Sequence, residues 1–418
     1  MRTFFTGLFL VTVLALSAQK NDCATHMYTR ALQASGAEQS LRLRSAEAFV
    51  QQKLNPNPLQ QLTTYTGSEV QERLIRIPVV VHILYNNEAQ NLSEERVRIQ
   101  IEALNRDFRR RNADTGKTPE RFRPFAADVE IEFVLATADP KGRPTNGILR
   151  KYTARTFFDL DDKIKFSAQG GDDAWDPLSY LNIWVGNTRR TLGYASPVGT
   201  ERARDGIVLN TSVFGLNNGS ATGKSRTGVH EAGHWLGLKH IWGDEDCGDD
   251  GVSDTPPQST FNTGCPSGIK ITCGNGPLGD MYMNYMDFTD DGCMNLFTNG
   301  QKDRMRAHFS PGGFRHALLS SRGLDVPWTE EAPEEEGSPS APVALYPNPA
   351  DAEVFVDLKS DGWGGSELRI VGLNGVEVRR IKVTAVVQKI SLTGLPAGLY
   401  VVQGTNGKER ISLKLVKQ

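Results

Sequence analysis

Beyond residue 70 the chain falls into stretches whose apolar spacing names their structure. Ile75-Arg76-Ile77-Pro78-Val79-Val80-Val81-His82-Ile83-Leu84-Tyr85 is β-branched and almost wholly apolar, which predicts a buried strand. Val97, Ile101, Leu104 and Phe108 then recur at helical spacing. Ser93 caps that helix without a capping box, because Arg96 stands three residues on. Arg106, Arg109, Arg110 and Arg111 lie off the apolar stripe and read as a solvated face. Further strands are expected at Val129 to Ala136, Leu181 to Val185 and Gly206 to Leu209. Strand, helix, then more strands describe an α/β half built on a twisted sheet. Near the C-terminus the pattern changes to short runs: Val354 to Leu358, Leu368 to Leu373, Val376 to Val383, Val387 to Leu392, Leu399 to Val402 and Ile411 to Val416. Asn374-Gly375 and Asn406-Gly407 mark hairpin turns between them, so this end is expected to be a small all-β sandwich. Asp325 to Pro342 is acidic and rich in Pro and Ser, a linker that buries no core.

The chemistry is concentrated in His230-Glu231-Ala232-Gly233-His234-Trp235-Leu236-Gly237-Leu238-Lys239-His240. On a helix, His230 and His234 leave the same face one turn apart and can share a metal. Gly237 tolerates the positive φ with which a chain leaves a helix, and the turn delivers His240 as a third nitrogen. Three neutral imidazoles with an open fourth position make a catalytic zinc site. Glu231 stands beside the first ligand as general base for the attacking water, returning the proton to the leaving amine. Only seven histidines occur in 418 residues, and three fall here. His82, inside the first strand, is expected to be a packed core histidine. The strand around residues 203–210 is expected to align a polypeptide substrate by main-chain pairing.

Arg2, the apolar run Phe4 to Leu16 and the small residues Ala15, Ser17 and Ala18 precede polar Gln19-Lys20-Asn21-Asp22. That layout is a secretory signal peptide. The segment after it, rich in Ala, Gln, Glu and Arg and ending in Asn55-Pro56-Asn57-Pro58, reads as a pro-region. Its Cys23 is the odd cysteine, since Cys247, Cys265, Cys273 and Cys293 lie far away. A thiolate from a pro-segment can fill the open zinc position and keep an enzyme latent. In an exported protein the other four form two disulfides, with three connectivities open. The loop with Asp244, Glu245, Asp246, Asp249, Asp250 and Asp254 is either a calcium site or a solvated acidic loop. A net charge of -2 argues against a nucleic-acid partner, and no internal stretch approaches the ~20 apolar residues of a membrane span. The expected organisation is signal peptide 1–18, pro-region 19–55, catalytic domain 56–324, linker 325–342 and sandwich 343–418.

The motif at 230–240, followed by Asn284-Tyr285-Met286-Asp287, resembles the metzincin metallopeptidases, with Met286 as the Met-turn methionine. Asp-Thr-Pro-Pro at 254–257 and the four cysteines narrow the resemblance to the pappalysin family over about residues 72–315. It implies an α/β metzincin fold with a loop-rich lower subdomain, pairings Cys247–Cys273 and Cys265–Cys293, and calcium at Asp250, Ser253 (through its carbonyl) and Thr255. It also implies that Asp291 lies at the base of the pocket for the residue after the scissile bond and favours Lys or Arg there. Cys23 occupies the place of the family's cysteine switch. Two residues past the Met-turn methionine the family often carries a tyrosine, where this chain has Phe288. Tyr346-Pro347-Asn348-Pro349, Leu395-Pro396-Ala397-Gly398-Leu399-Tyr400 and the terminal Lys414-Leu415-Val416-Lys417-Gln418 look like a type IX secretion sorting domain. That resemblance implies export across the outer membrane by that machinery, then release or surface anchoring. The reading is a secreted, latent zinc endopeptidase acting on proteins or peptides. A gluzincin would recruit a distant Glu in place of His240. From another class, the chain would be a surface adhesin with a catalytically dead peptidase fold.

Overall fold

The computed structural model describes residues 21–55, 74–218, 220, 223–327, 343–358, 361–372, 376–407 and 409–418. The expected signal peptide, most of the linker, residues 56–73 and the Asn374-Gly375 turn lie outside them. The chain divides into two compact units between Thr329 and Glu330.

The first unit begins with β1 (Asn21–Cys23), α1 (Thr25–Ala34) and α2 (Ala37–Leu54). There follow β2 (Ile75–Tyr85), α3 (Glu94–Phe108), β3 (Ile131–Leu135), β4 (Ile148–Tyr152), β5 (Leu181–Gly186), β6 (Thr191–Ala195) and β7 (Ile207–Asn210). Helices α4 (Arg226–Trp235) and α5 (Asn299–Ala307) complete it. The strands form one sheet in the order β1-β6-β7-β5-β2-β3, with β4 also paired to β2. As its composition requires, β2 is central: it pairs in parallel with β3, β4 and β5, and nine of its eleven residues are buried. Ser93 caps α3 by accepting from Arg96 N. Val97, Ile101, Leu104 and Phe108 of α3 share one core with β2 and α4, Phe108 lying 4.9 Å from both Phe133 and Phe297.

Two expectations are corrected. Strand β7 has both edges taken, by β5 and β6, and so has no main-chain groups to offer a substrate. The rim strand is β6, whose Thr-Leu-Gly-Tyr-Ala sequence hides it because glycine breaks the alternation. On β6 lies β1, in parallel, with Asn21 opposite Thr191 and Cys23 opposite Gly193. The arginines after α3's apolar stripe are not simply solvated. Arg106 pairs with Asp107, and Arg109 pairs with Asp128 and Glu132.

From Trp235 to Asn299 the described chain forms no α-helix and no strand longer than an isolated bridge. Disulfides Cys247–Cys273 and Cys265–Cys293 staple this lower half. Buried carboxylates collect donors inside it: Asp287 accepts from Asn262 N (2.7 Å), Asn262 Nδ2 (2.8 Å) and Gln258 Nε2 (3.0 Å).

The second unit is all-β. Its strands are β8 (Ala344–Tyr346), β9 (Glu353–Asp357), β10 (Glu367–Gly372), β11 (Glu377–Lys382), β12 (Val387–Ser391), β13 (Gly398–Thr405) and β14 (Arg410–Lys417). They form antiparallel sheets β11-β10-β13-β14 and β12-β9-β8 around a core that includes Val356, Trp363, Ile370 and Leu415.

Candidate active site

Helix α4 carries His230 and His234 on one face, and Gly237, at φ 95°, turns the chain so that His240 returns beside them. Each imidazole is oriented through its Nδ1. His230 Nδ1 donates to Tyr285 O at 2.7 Å, His234 Nδ1 donates to Leu238 O at 2.8 Å, and His240 Nδ1 bonds the Asp244 carboxylate. Carbonyls only accept, so His230 and His234 carry their proton on Nδ1 and turn bare Nε2 lone pairs inward. His234 Nε2 lies 3.1 Å from the Nε2 atoms of both His230 and His240. Lone pairs so close repel unless a cation lies between them. A tetrahedral zinc with bonds of ~2.0–2.1 Å spaces its nitrogens about 3.3 Å apart, so the residues present fit that ion. Burial lowers the pKa of His230 to about 4, and holds His234 and His240 well below the usual range. All three are therefore neutral near pH 7, the form a metal takes.

Cys23, buried and unpaired, brings its Sγ into the same cluster, with the four ligand atoms within 4.8 Å of one another. Burial, and then nearby Glu231, raise its thiol pKa, and a bound metal cation would reverse that. Beside it, Glu231 is fully buried, and burial pushes its carboxyl up to about 8. Glu231 Oε2 accepts from the Thr25 hydroxyl at 2.8 Å, and that hydroxyl accepts from Ala195 N at 2.8 Å. Thr25 thus ties the first residues after Cys23 both to the rim strand and to the carboxylate. The sequence reading missed Thr25, which no motif marks. The close approach of β6 needs Gly193, where a Cβ would stand 3.1 Å from Glu231 Cγ.

Met286 underlies the helix: a Cβ on Gly233 would meet its Sδ at 2.6 Å. Phe288 packs on the rings of His230, His240 and Trp242. Tyr285 is no substitute for a tyrosine at 288, because its hydroxyl is buried with no hydrogen-bond partner among the described residues and its ring lies beneath the Arg226 guanidinium. His82 sits apart in β2, bonded to Asp172 (2.8 Å) and Asn182 (3.1 Å).

A cavity of about 70 Å³ opens beside Cys23, His230 and Glu231, and Asp291 lines it. Asp291 Oδ2 accepts from Lys224 N (2.8 Å) and Arg226 N (3.1 Å) at the start of α4, while burial raises its pKa to about 6. The acidic loop is only partly solvated. Asp244 orients His240. Asp254 accepts from Thr298 Oγ1 (2.6 Å) and Gly300 N (2.9 Å) at the start of α5. Asp250 is buried, its pKa raised by that burial to about 7, with the Thr255 hydroxyl 3.0 Å away and Ser253 exposed.

The family model described as pregnancy-associated plasma protein-A matches residues 166–310, and that of the secretion system C-terminal sorting domain matches residues 344–418. A solved structure of mirolysin in complex with a compound is 46% identical, covers 62% of this chain and 100% of its own, and superposes with a TM-score of 0.59. The chain belongs to the pappalysin family of metallopeptidases. A promirolysin mutant of Tannerella forsythia is 39% identical over 74% of this chain and 100% of its own, with a TM-score of 0.66. An extracellular metalloprotease of Verticillium alfalfae is 28% identical over 263 residues, 59% of this chain and 79% of that protein. This pappalysin is a secreted zinc metallopeptidase made as a zymogen, and its type IX sorting tail takes it across the outer membrane. No described helix is long and apolar enough to cross a membrane.

Proposed function

We propose that His230, His234 and His240 hold the catalytic zinc, that Glu231 is the general base, and that residues 19–55 form the inhibitory pro-region. The observation that carries this is the convergence of three inward Nε2 atoms with Cys23 Sγ, beside a buried carboxylate. Zinc, when bound, supplies Lewis-acid polarisation of a water and of the scissile carbonyl. Glu231 takes the proton from the attacking water and passes it to the leaving amine. In the latent form Cys23 occupies the fourth ligand position and Thr25 holds the Glu231 carboxylate, so neither water nor substrate reaches the centre. Release of residues 19–55 frees both positions. Asp291 faces the residue after the scissile bond and favours Lys or Arg, since an ammonium or guanidinium supplies the charge that its buried carboxylate lacks. Calcium at Asp250, Ser253 and Thr255 fits the same logic, because Asp250 is a buried carboxylate whose near partners are a hydroxyl and one amide.

The test is a peptide-library digest by the processed enzyme, with and without a zinc chelator, reading the residue after each cut by mass spectrometry. Chelator-sensitive cuts before Lys or Arg are expected. Glu231→Ala should stay folded and zinc-loaded while losing about 10²–10⁴-fold in kcat. Full activity in that variant overturns the base assignment. Cuts before other residues overturn the Asp291 pocket alone. Silence in every form favours the adhesin.

A further inference from the structure

Gly193 of β6 faces Glu231, so its neighbour Tyr194 points to the opposite face of the sheet. On that face α1 buries Tyr28, 3% exposed, against Tyr194 and Trp184. The Tyr28 hydroxyl donates to Asp162 Oδ2 at 2.6 Å and accepts from Lys165 Nζ at 3.2 Å. Lys165 is itself fully buried. Its ammonium lies 3.0 Å from Asp162, donates to Arg204 O at 2.7 Å, and sits over the rings of Tyr28, Tyr194 and Trp184 at 4.7, 5.0 and 5.5 Å. Asp162 is held in addition by Arg204 at 2.8 Å and by the Tyr194 hydroxyl at 3.3 Å. A buried ion pair is costly to assemble and needs every remaining group satisfied. Here the last partner is a phenol, and it comes from the segment proposed to be discarded. What survives is a hollow with aromatic walls, a fixed carboxylate and an ammonium short of one ring. A tyrosine side chain answers all three.

The hollow also has a direction. The cavity with Asp291 is bordered by Cys23 and Leu192, whereas the space past Thr25 is bordered by Pro197 and Val198. Helix α1, which carries Tyr28, lines this second space with Thr25, His26 and Thr29 and none of the Asp291 cavity, so if Asp291 faces the residue after the cut, α1 follows the side of the residues before it. We infer that the processed enzyme carries a tyrosine-binding exosite in the place of Tyr28, and that it engages a tyrosine of the polypeptide substrate upstream of the cut. This rests on the proposed peptidase centre and adds a determinant of its substrates.

The zymogen is purified, its pro-segment removed by proteolysis, and the enzyme given internally quenched peptides with a single Arg-directed cut. They differ only in carrying Tyr, Phe or Ala at each of several positions upstream. At one or two adjacent positions Tyr should lower KM about tenfold relative to Phe, with kcat unchanged, since only Tyr returns the hydrogen bond to a charged group. Phe should gain a few-fold over Ala by covering the ammonium. Asp162→Asn should narrow the Tyr–Phe gap and leave Ala peptides unaffected. If that variant fails to fold, the scan on the unaltered enzyme still decides. Equal KM values for Tyr, Phe and Ala throughout overturn the exosite while the peptidase centre stands, because the Ala peptide is still cut. If no peptide is cut, the centre fails instead. The hollow is then read by calorimetry with a peptide of residues 19–55, which Tyr28→Phe should weaken about tenfold; equal binding overturns the hollow. Discrimination by that peptide but not by substrates makes the hollow a pro-segment latch and overturns the exosite.

Discussion

The sheet half and the loop half of the catalytic unit bury comparable chemistry by different means. In the sheet half, β2, α3 and α4 satisfy their backbone groups within ladders and helices, and apolar side chains at regular spacing fill the space between them. In the loop half, from residue 236 to 298, carboxylates such as Asp287 collect main-chain and amide donors, and two disulfides limit the unfolded chain. Regular packing yields a scaffold that a sequence pattern announces. Polar stapling yields a surface shaped residue by residue, and the Asp291 cavity is cut into that surface. A rigid half thus presents two imidazoles and the carboxylate, while an irregular half shapes the cavity beside them.

Breaking the seam between the halves should have the largest effect. Arg226, 1% exposed at the start of α4, pairs with Asp107 and Asp114 and donates to the carbonyls of Asp291 and Met294. Arg226→Met takes the shared partner from two buried carboxylates, leaving Asp107 with Arg106 and Asp114 with Lys224 and Asn112, and should cost about 3 kcal/mol, read by denaturant unfolding. Adding Asp107→Asn and Asp114→Asn should recover part of that loss. Next, Cys247→Ser with Cys273→Ser opens a bridge between residues 26 apart in sequence and should cost about 3–4 kcal/mol. Hydrogen exchange should then rise across 240–298 while β2 and α3 stay protected. Protection lost equally in both halves would break the contrast. The smallest effect is a pH dependence. Asp291, with its pKa raised by burial to about 6, is charged above that value and protonated below it. Cleavage before Lys or Arg should hold above about pH 7 and fall about tenfold per unit well below pH 6. Peptides with a neutral residue there should lack this component, and Asp291→Asn should remove it.

The contrast also explains what was legible in the chain. β2 and α3 were plain because eleven near-continuous apolar residues and a 3.6-residue period are local signals. The proposed zinc ligands and Glu231 were plain because a helix and the turn that follows it place them within eleven residues. β6 was not, since a glycine and two polar-capable residues in five break the strand pattern. Nor was β4, whose Ile-Leu-Arg-Lys-Tyr carries two cations. Arg226 joins Asp107 and Asp114 from a stretch more than a hundred residues away, and only folding shows that Arg106 and Arg109 find carboxylates. Thr25, Tyr28, Asp162 and Lys165 were illegible for the same reason: each looks ordinary where it stands, and their meaning lies in pairings across more than a hundred residues.

The placement of Gly237 has a further consequence. It puts His230 and His234 on one side of the turn and His240 on the other, so the proposed ligand set is shared between a preformed helix and a loop. Two donors are prepaid by helix geometry, and the third is available only when the loop half is in register. Metal affinity then becomes a gauge of how the two halves sit, and by linkage the ion reciprocates, holding the loops in place with whatever free energy their order lends to its binding.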